Sequence, residues 1–362
     1  MARIHNFNAG PAALPLAVLK RAQTEMLDYR GSGMSIMEHS HRGRTYDEVH
    51  RRAIALVREL LDVGDSYEVL LLQGGASLQF AMLPMNLVHD GQSADYIITG
   101  AWSQKAYEEA PRAHRQARIA ADTGVDNVFS RVPKQEELQL DPNAAYVHFT
   151  SNNTIFGTQF HEFPDTGSVP LIADMSSDFF WRPFDINRFG LVYGGAQKNI
   201  GPSGLALVII RKDLLETARK DLPNILQYGI HTSKNSLYNT PNSFGIYMMM
   251  CALEHLSELG GLDVIERRNQ GKAELLYDAI DTSDDFYRCP VDTASRSTMN
   301  VVFRLPSEDL EQRFVAKALE KGLTGLKGHR SVGGIRASIY NAVERRSVEA
   351  LLGFMHDFKK TA

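Results

Sequence analysis

The sequence predicts an α/β protein built on a large, doubly wound, mostly parallel sheet, followed by a smaller α/β domain. Three observations carry this. Short apolar runs at Tyr67–Leu72, Tyr96–Thr99, Ala145–Thr150 and Leu171–Asp174 read as strands buried on both faces. Between them lie stretches with apolar residues at steps of three and four; Tyr46, Val49, Ala53, Leu56 and Leu60 make one such helical stripe. The 362 residues, 43% hydrophobic and 23% charged, suffice for one large and one smaller core.

Asn6 to Pro15 form an irregular arm, and Leu16 to Leu27 read as a helix starting after Pro15. Met34 to Gly43 form a loop that ends in His41 and Arg42, before the Tyr46 helix. The strand Tyr67–Leu72 runs into Gln73-Gly-Gly-Ala-Ser77 and then a helix, an arrangement that offers backbone amides to a phosphate. Many strand-to-helix turns use paired glycines only to close the chain. No Walker lysine follows, and the Gly-x-Gly-x-x-Gly pattern is missing, which removes the commonest nucleotide readings. Trp102 follows the strand Tyr96–Thr99, either as core or as a flat surface for an aromatic ligand. Ala145–Thr150 leads into the polar turn Ser151 to Gly157, which contains Thr154.

Leu171–Asp174 ends on a carboxylate, which is costly to bury without a partner. That partner is either a backbone amide of the next turn or a protonated ring nitrogen. Lys198 lies in a polar, glycine-rich loop between the strands beginning at Leu191 and Leu205. It is either a solvated lysine in a connection or an amine that loses its proton and attacks a carbonyl. Ligands collect outside the carboxyl ends of strands in open α/β sheets. That rule brings Gly75 to Ser77, Trp102, Thr154, Asp174 and Lys198 to one edge.

Tyr238-Asn-Thr-Pro-Asn242 precedes a helix from Phe244 to Leu256, and capping explains Asn239 and Thr240 adequately. After Gly260-Gly261, helical patterns at Ile265–Ile280, Leu310–Leu319 and Val348–Phe358 alternate with strands at Met299–Leu305 and Ile335–Tyr340. The expected division is a large domain over 16–262 and a small one made of 1–15 and 263–362. In the last strand Ile335, Ala337 and Ile339 share one face, and Arg336, Ser338 and Tyr340 a polar one. A guanidinium there suits a carboxylate, whether a ligand's or a structural partner's. His41-Arg42 and His329-Arg330 are basic pairs, each explicable as a solvated loop and together suited to a doubly charged anion.

The formal net charge of −4 argues against a nucleic-acid coat or a membrane-surface protein. Two cysteines without metal spacing, and an N-terminus lacking an apolar signal core, point to the cytoplasm. The apolar run Ile246–Leu253 is far too short to span a bilayer.

Five strings resemble the phosphoserine aminotransferases, of the class-V aminotransferase family: Asn6-Phe-Asn-Ala-Gly-Pro11, Ser40-His-Arg-Gly43, Gly194-Gly-Ala-Gln-Lys-Asn-Ile-Gly-Pro-Ser-Gly204, Tyr238-Asn-Thr-Pro241 and Gly333-Gly-Ile-Arg-Ala-Ser-Ile-Tyr-Asn341. The likeness runs from the arm to the last helix. It implies a fold-type-I pyridoxal-phosphate-dependent transferase that works as a homodimer. Lys198 would carry the cofactor, and Asp174 would keep its ring nitrogen protonated, improving the electron sink. Trp102 would stack on the ring, while Ala76, Ser77, Thr154 and Gln197 contact the cofactor. Asn239 and Thr240 would reach its phosphate from the second subunit. Arg336 would clamp the substrate α-carboxylate. His41, Arg42, His329 and Arg330 would face the distal phosphate or carboxylate, His41 and Arg42 from the partner chain.

The implied reaction is ping-pong transfer of an amino group from glutamate to 3-phosphohydroxypyruvate. Two departures stand out: Ser77 where some relatives carry arginine, and Asn153 where glutamate is often expected. Alternatives on the same scaffold are a transaminase for the phosphorylated hydroxythreonine intermediate of pyridoxine biosynthesis, a cysteine desulfurase using Cys289, and a non-catalytic cofactor carrier.

Overall fold

The apolar runs assemble into one seven-stranded sheet in the computed structural model, which describes residues 3–362. In chain order the strands are β1 His5–Asn6, β2 Tyr67–Leu72, β3 Ser93–Ile98, β4 Gln116–Asp122, β5 Val147–Thr150, β6 Asn152–Asn153, β7 Thr158–Gln159, β8 Leu171–Asp174, β9 Leu191–Gly195, β10 Ala206–Arg211, β11 Asn300–Phe303, β12 Leu323–Thr324 and β13 Ile335–Ser338. The helices are α1 Leu16–Glu25, α2 Arg44–Leu61, α3 Gly75–Leu87, α4 Ala101–Arg112, α5 Lys212–Thr217, α6 Tyr228–Ser233, α7 Ser243–Glu258, α8 Leu262–Asp281, α9 Glu308–Glu320 and α10 Arg345–Thr361.

The large sheet runs β2-β10-β9-β8-β5-β3-β4. Its pairings are parallel except at β10, which is antiparallel to β2 and β9. The connection from β9 to β10 is a loop with no crossover helix, so the chain can only return beside β9 in the opposite sense. The sheet is buried on both faces because alternate residues feed two cores. Val69, Leu71, Leu207 and Ile209 join the core that includes residues of α1, α2 and α7. Leu70, Leu72, Val208 and Ile210 join the one that includes residues of α3 and α4. Each fully buried aliphatic side chain contributes about 1.5–3 kcal/mol.

A separate core gathers residues of α8, α9, α10, β11 and β13. Phe7, fully buried, enters it from the N-terminal arm, because β1 pairs in parallel with β12 at Leu323 and Thr324. A hydrogen-bonded polar seam joins this body to the sheet. Asn152 Nδ2 donates to Ser177 Oγ and Asn300 Oδ1, Ser297 Oγ donates to Asn152 Oδ1, and Asn300 Nδ2 donates to Ser338 Oγ and Tyr340 Oη.

The seam occupies the polar side of the last strand. Ser338 and Tyr340 are fully buried on Asn300, and β13 ends at Ser338, short of the expected Tyr340. Strand β4 was not anticipated from the sequence. It is a mostly exposed edge strand carrying Gln116 and Arg118, with little apolar signal. Helix α1 stops at Glu25, short of Leu27, which is exposed.

Candidate active site

Five chain segments reach the same sheet edge through the carboxyl ends of β2, β3, β5, β8 and β9. Asp174 is the last residue of β8 and is buried. Its Oδ1 accepts from the Ser176 amide at 2.9 Å and from Ser176 Oγ at 2.5 Å. Burial raises its pKa, while the Lys198 charge and the Ser176 bonds pull it back down.

Lys198 projects from the loop after β9. Its Nζ donates to Thr154 Oγ1 at 2.7 Å and sits 5.3 Å from the Trp102 ring centroid. Desolvation lowers its pKa to about 8, against the attraction of Asp174. The loop itself is tied down. Ala12 N donates to Gln197 O at 2.9 Å, Asn199 Nδ2 donates to Phe179 O at 2.6 Å, and Asn341 N donates to Asn199 Oδ1 at 2.9 Å. A Cβ on Gly10 would lie 3.2 Å from Lys198 Cγ, so the arm packs directly on the lysine stem.

A cavity of about 350 Å³ contains this chemistry, lined by Gly74–Ser77, Trp102, Asp174, Gln197 and Lys198 among others. The floor near α3 is a helix N-terminus, where unpaired amides and the helix dipole favour an anion. Gly74 and Gly75 have φ of +83° and +61°, and a Cβ on Gly74 would meet Leu78 Cβ at 2.6 Å, so glycine is needed to turn the chain there. Thr154 Oγ1 holds Lys198 from the turn after β5. Its neighbour Asn153 is buried and donates through Nδ2 to Thr99 Oγ1 and Thr158 Oγ1, both at 3.0 Å. A larger cavity, about 700 Å³, lies against α7 and α8 and takes in none of the predicted residues.

Arg336 lies beside the cavity. Its Nη1 donates to Thr154 O at 3.1 Å, and its Nε is buried without a partner. Burial lowers the pKa of His329, in the loop before β13, and the charges of Arg336, Arg330 and Lys105 lower it further. His41, Arg42, Asn239 and Thr240 do not line the cavity. Arg42 and Thr240 are exposed, and Asn239 Nδ2 reaches Gln73 Oε1 at 3.3 Å, next to the Gly74 turn. Gly10, Pro11, Phe80, Ser176 and Ser203 line the cavity without having been predicted to. Gly10, Pro11 and Ser203 belong to strings with a sequence signal; Phe80 and Ser176 do not. Cys289 lies outside, and burial raises its pKa, the reverse of an activated thiol.

These groups fit pyridoxal phosphate. The glycine turn and α3 could take its phosphate, the Trp102 face its ring, the second oxygen of Asp174 its ring nitrogen, and the Lys198 amine its aldehyde carbon. Among the described residues, no group of three or more His, Cys, Asp or Glu side chains is arranged to hold a metal ion.

Comparison with known proteins agrees in family. A phosphoserine aminotransferase of Niallia circulans is 56% identical over 359 residues, 99% of each chain. The solved phosphoserine aminotransferase of Bacillus circulans subsp. alkalophilus superposes with a TM-score of 0.97 at 56% identity, covering 99% of each chain. A phosphoserine aminotransferase structure examined for radiation damage of its Schiff base gives a TM-score of 0.97 at 51% identity over 100% of both chains. The family model for class-V aminotransferases matches residues 4–351, and the chain belongs to that family of pyridoxal-phosphate-dependent transaminases.

Proposed function

We propose that this enzyme transfers the amino group of L-glutamate to 3-phosphohydroxypyruvate, yielding 2-oxoglutarate and O-phospho-L-serine, a step of serine biosynthesis. The near full-length identity to phosphoserine aminotransferases supports the substrate class. The observation that carries the residue roles is at Thr154. Its hydroxyl holds Lys198 Nζ and its carbonyl holds Arg336 Nη1. A substrate whose α-carboxylate meets Arg336 therefore presents its Cα beside the amine.

In this reading residues 16–262 form the cofactor-binding domain, and 1–15 with 263–362 form the domain that supplies Arg336. Pyridoxal phosphate, when bound, supplies the aldehyde that captures the substrate's amine and the electron sink for the charge left at Cα. Asp174 keeps a proton on the ring nitrogen, and Trp102 holds the ring flat. Ala76, Ser77, Thr154 and Gln197 fix the cofactor's polar groups. Once displaced by substrate, Lys198 Nζ takes the Cα proton as general base and returns it as general acid. His329 and Arg330 face the substrate's distal anion.

A second copy of the chain supplies His41 and Arg42 to that anion, and Asn239 and Thr240 to the cofactor phosphate. The homodimer is supported by apolar exposure beside these segments, at Met34 (41%), Met37 (51%) and Tyr238 (40%). Cys251 and Cys289 are unpaired, in keeping with the cytoplasm.

The test is steady-state amino transfer to 2-oxoglutarate. Phosphoserine should exceed serine in kcat/KM by about 100-fold or more, because serine leaves the basic groups His41, Arg42, His329 and Arg330 without their anion. Equal values for the two donors would overturn the substrate assignment.

A further inference from the structure

We propose that Ser176 is a positioning residue that keeps Asp174 ionised and leaves only one of its oxygens free for the cavity. The inference rests on reading Asp174 as the partner of the cofactor's ring nitrogen.

Two donors from one residue, the Ser176 amide and hydroxyl, converge on Asp174 Oδ1 at 2.9 and 2.5 Å. The hydroxyl in turn accepts from the Gly195 amide at 3.0 Å. A serine hydroxyl has one proton and accepting lone pairs. With the Gly195 N–H occupying an accepting position, the proton is directed to Asp174. An oxygen that accepts two hydrogen bonds cannot also carry a proton without losing one of them, so Oδ1 is held as the anionic acceptor. Exchange with the ring nitrogen is left to Oδ2.

The backbone is shaped to permit this. Met175 N donates to Tyr193 O at 2.8 Å, which lays the Asp174–Ser176 turn along β9. A Cβ on Gly194 would come within 3.1 Å of Ser176 Cα and 2.8 Å of Phe179 Cδ1, so the approach needs glycine there. Ser176 thereby links the acid to the strand end that leads, three residues later, to Lys198. The Asp174 carbonyl is also held, accepting from the amide and hydroxyl of Ser151 at 3.0 and 3.1 Å. The Ser176 hydroxyl thus bridges the acid to the end of the strand that leads to the amine.

The experiment compares wild-type protein with Ser176→Ala and Ser176→Thr. In the apoprotein, the Asp174 carboxyl is titrated by ¹³C NMR, its signal assigned by its loss in Asp174→Asn. In the holoenzyme, ring protonation is followed by the ¹⁵N shift of labelled pyridoxal phosphate across pH. Losing one hydrogen bond to a charged group should make Asp174 about tenfold easier to protonate in Ser176→Ala. In the holoenzyme the shared proton should then shift toward Asp174, moving the ¹⁵N signal toward that of the unprotonated ring. Ser176→Thr, which keeps the hydroxyl, should stay at wild-type values in both measurements.

A Ser176→Ala protein that matches wild type in both titrations overturns the proposal. So does a Thr variant that shifts as far as Ala. If Ser176→Ala does not fold, Ser176→Cys, a weak donor, is held to the same criteria. A ring nitrogen indifferent to Asp174→Asn would instead overturn the reading of Asp174, while the apoprotein titration still decides the role of Ser176.

Discussion

At Lys198 two opposing effects are nearly balanced. Withdrawal from water disfavours the ammonium, Asp174 favours it, and desolvation wins, bringing the pKa to about 8. Only the neutral amine attacks an aldehyde. Capture of pyridoxal phosphate by the apoprotein should therefore accelerate about tenfold per pH unit on approaching that value and level off above it. Stopped-flow absorbance measures this directly, and a flat profile below the plateau would contradict the assignment. Lys198→Arg retains the charge beside Thr154 but should show neither capture nor turnover. Asp174 is legible in the sequence as a carboxylate that ends an apolar run, and Lys198 as an amine in a polar loop between two apolar strands. Ser176 is not, since a serine two places after an aspartate is ordinary turn chemistry. Only its bond from Gly195 sets it apart.

At the level of elements, the turn between β2 and α3 is the most constrained. Gly74 combines a left-handed backbone with no room for a Cβ. Gly74→Ala should cost about 1–3 kcal/mol of stability through backbone strain. It should also weaken pyridoxal-phosphate affinity more than it alters Lys198 chemistry. Calorimetric melting with cofactor titration separates the two effects, and an affinity left intact would show that the helix terminus is not the phosphate cradle. The glycine pair, the strand before it and the helix after it are all readable from sequence. The edge strand β4 is not, because a half-exposed strand lacks the continuous apolar run of its neighbours. The inward turn of Ser338 and Tyr340 is equally hidden. Alternation assigns faces but does not reveal that the polar face of β13 is sealed by Asn300. Asn300→Leu, which strips the seam of its central amide, should destabilise the protein by about 2–4 kcal/mol. Denaturant unfolding would report it.

For the whole molecule, the residues outside the cavity make the strongest prediction. If His41 and Arg42 serve the neighbouring subunit, Lys198→Ala and Arg42→Ala chains, each inactive alone, should recover activity when co-expressed. Random pairing gives half heterodimers with one intact site each, about a quarter of all sites. Separately purified and unmixed proteins are the control, and no recovery after verified exchange would place both residues in their own chain's site. Which copy supplies a side chain is invisible to pattern reading, because both copies carry the same letters.

The N-terminal arm ties the site to the far end of the chain. Phe7 and β1 dock on β12 and on a core that extends to Phe358, elements far later in the chain. Gly10 is then drawn against the stem of Lys198. The arm thus needs the far end of the chain for its seat, and the wall it gives the lysine depends on that docking. A chain cut short before β12 lacks the surface on which the arm docks, and with it that wall beside the lysine.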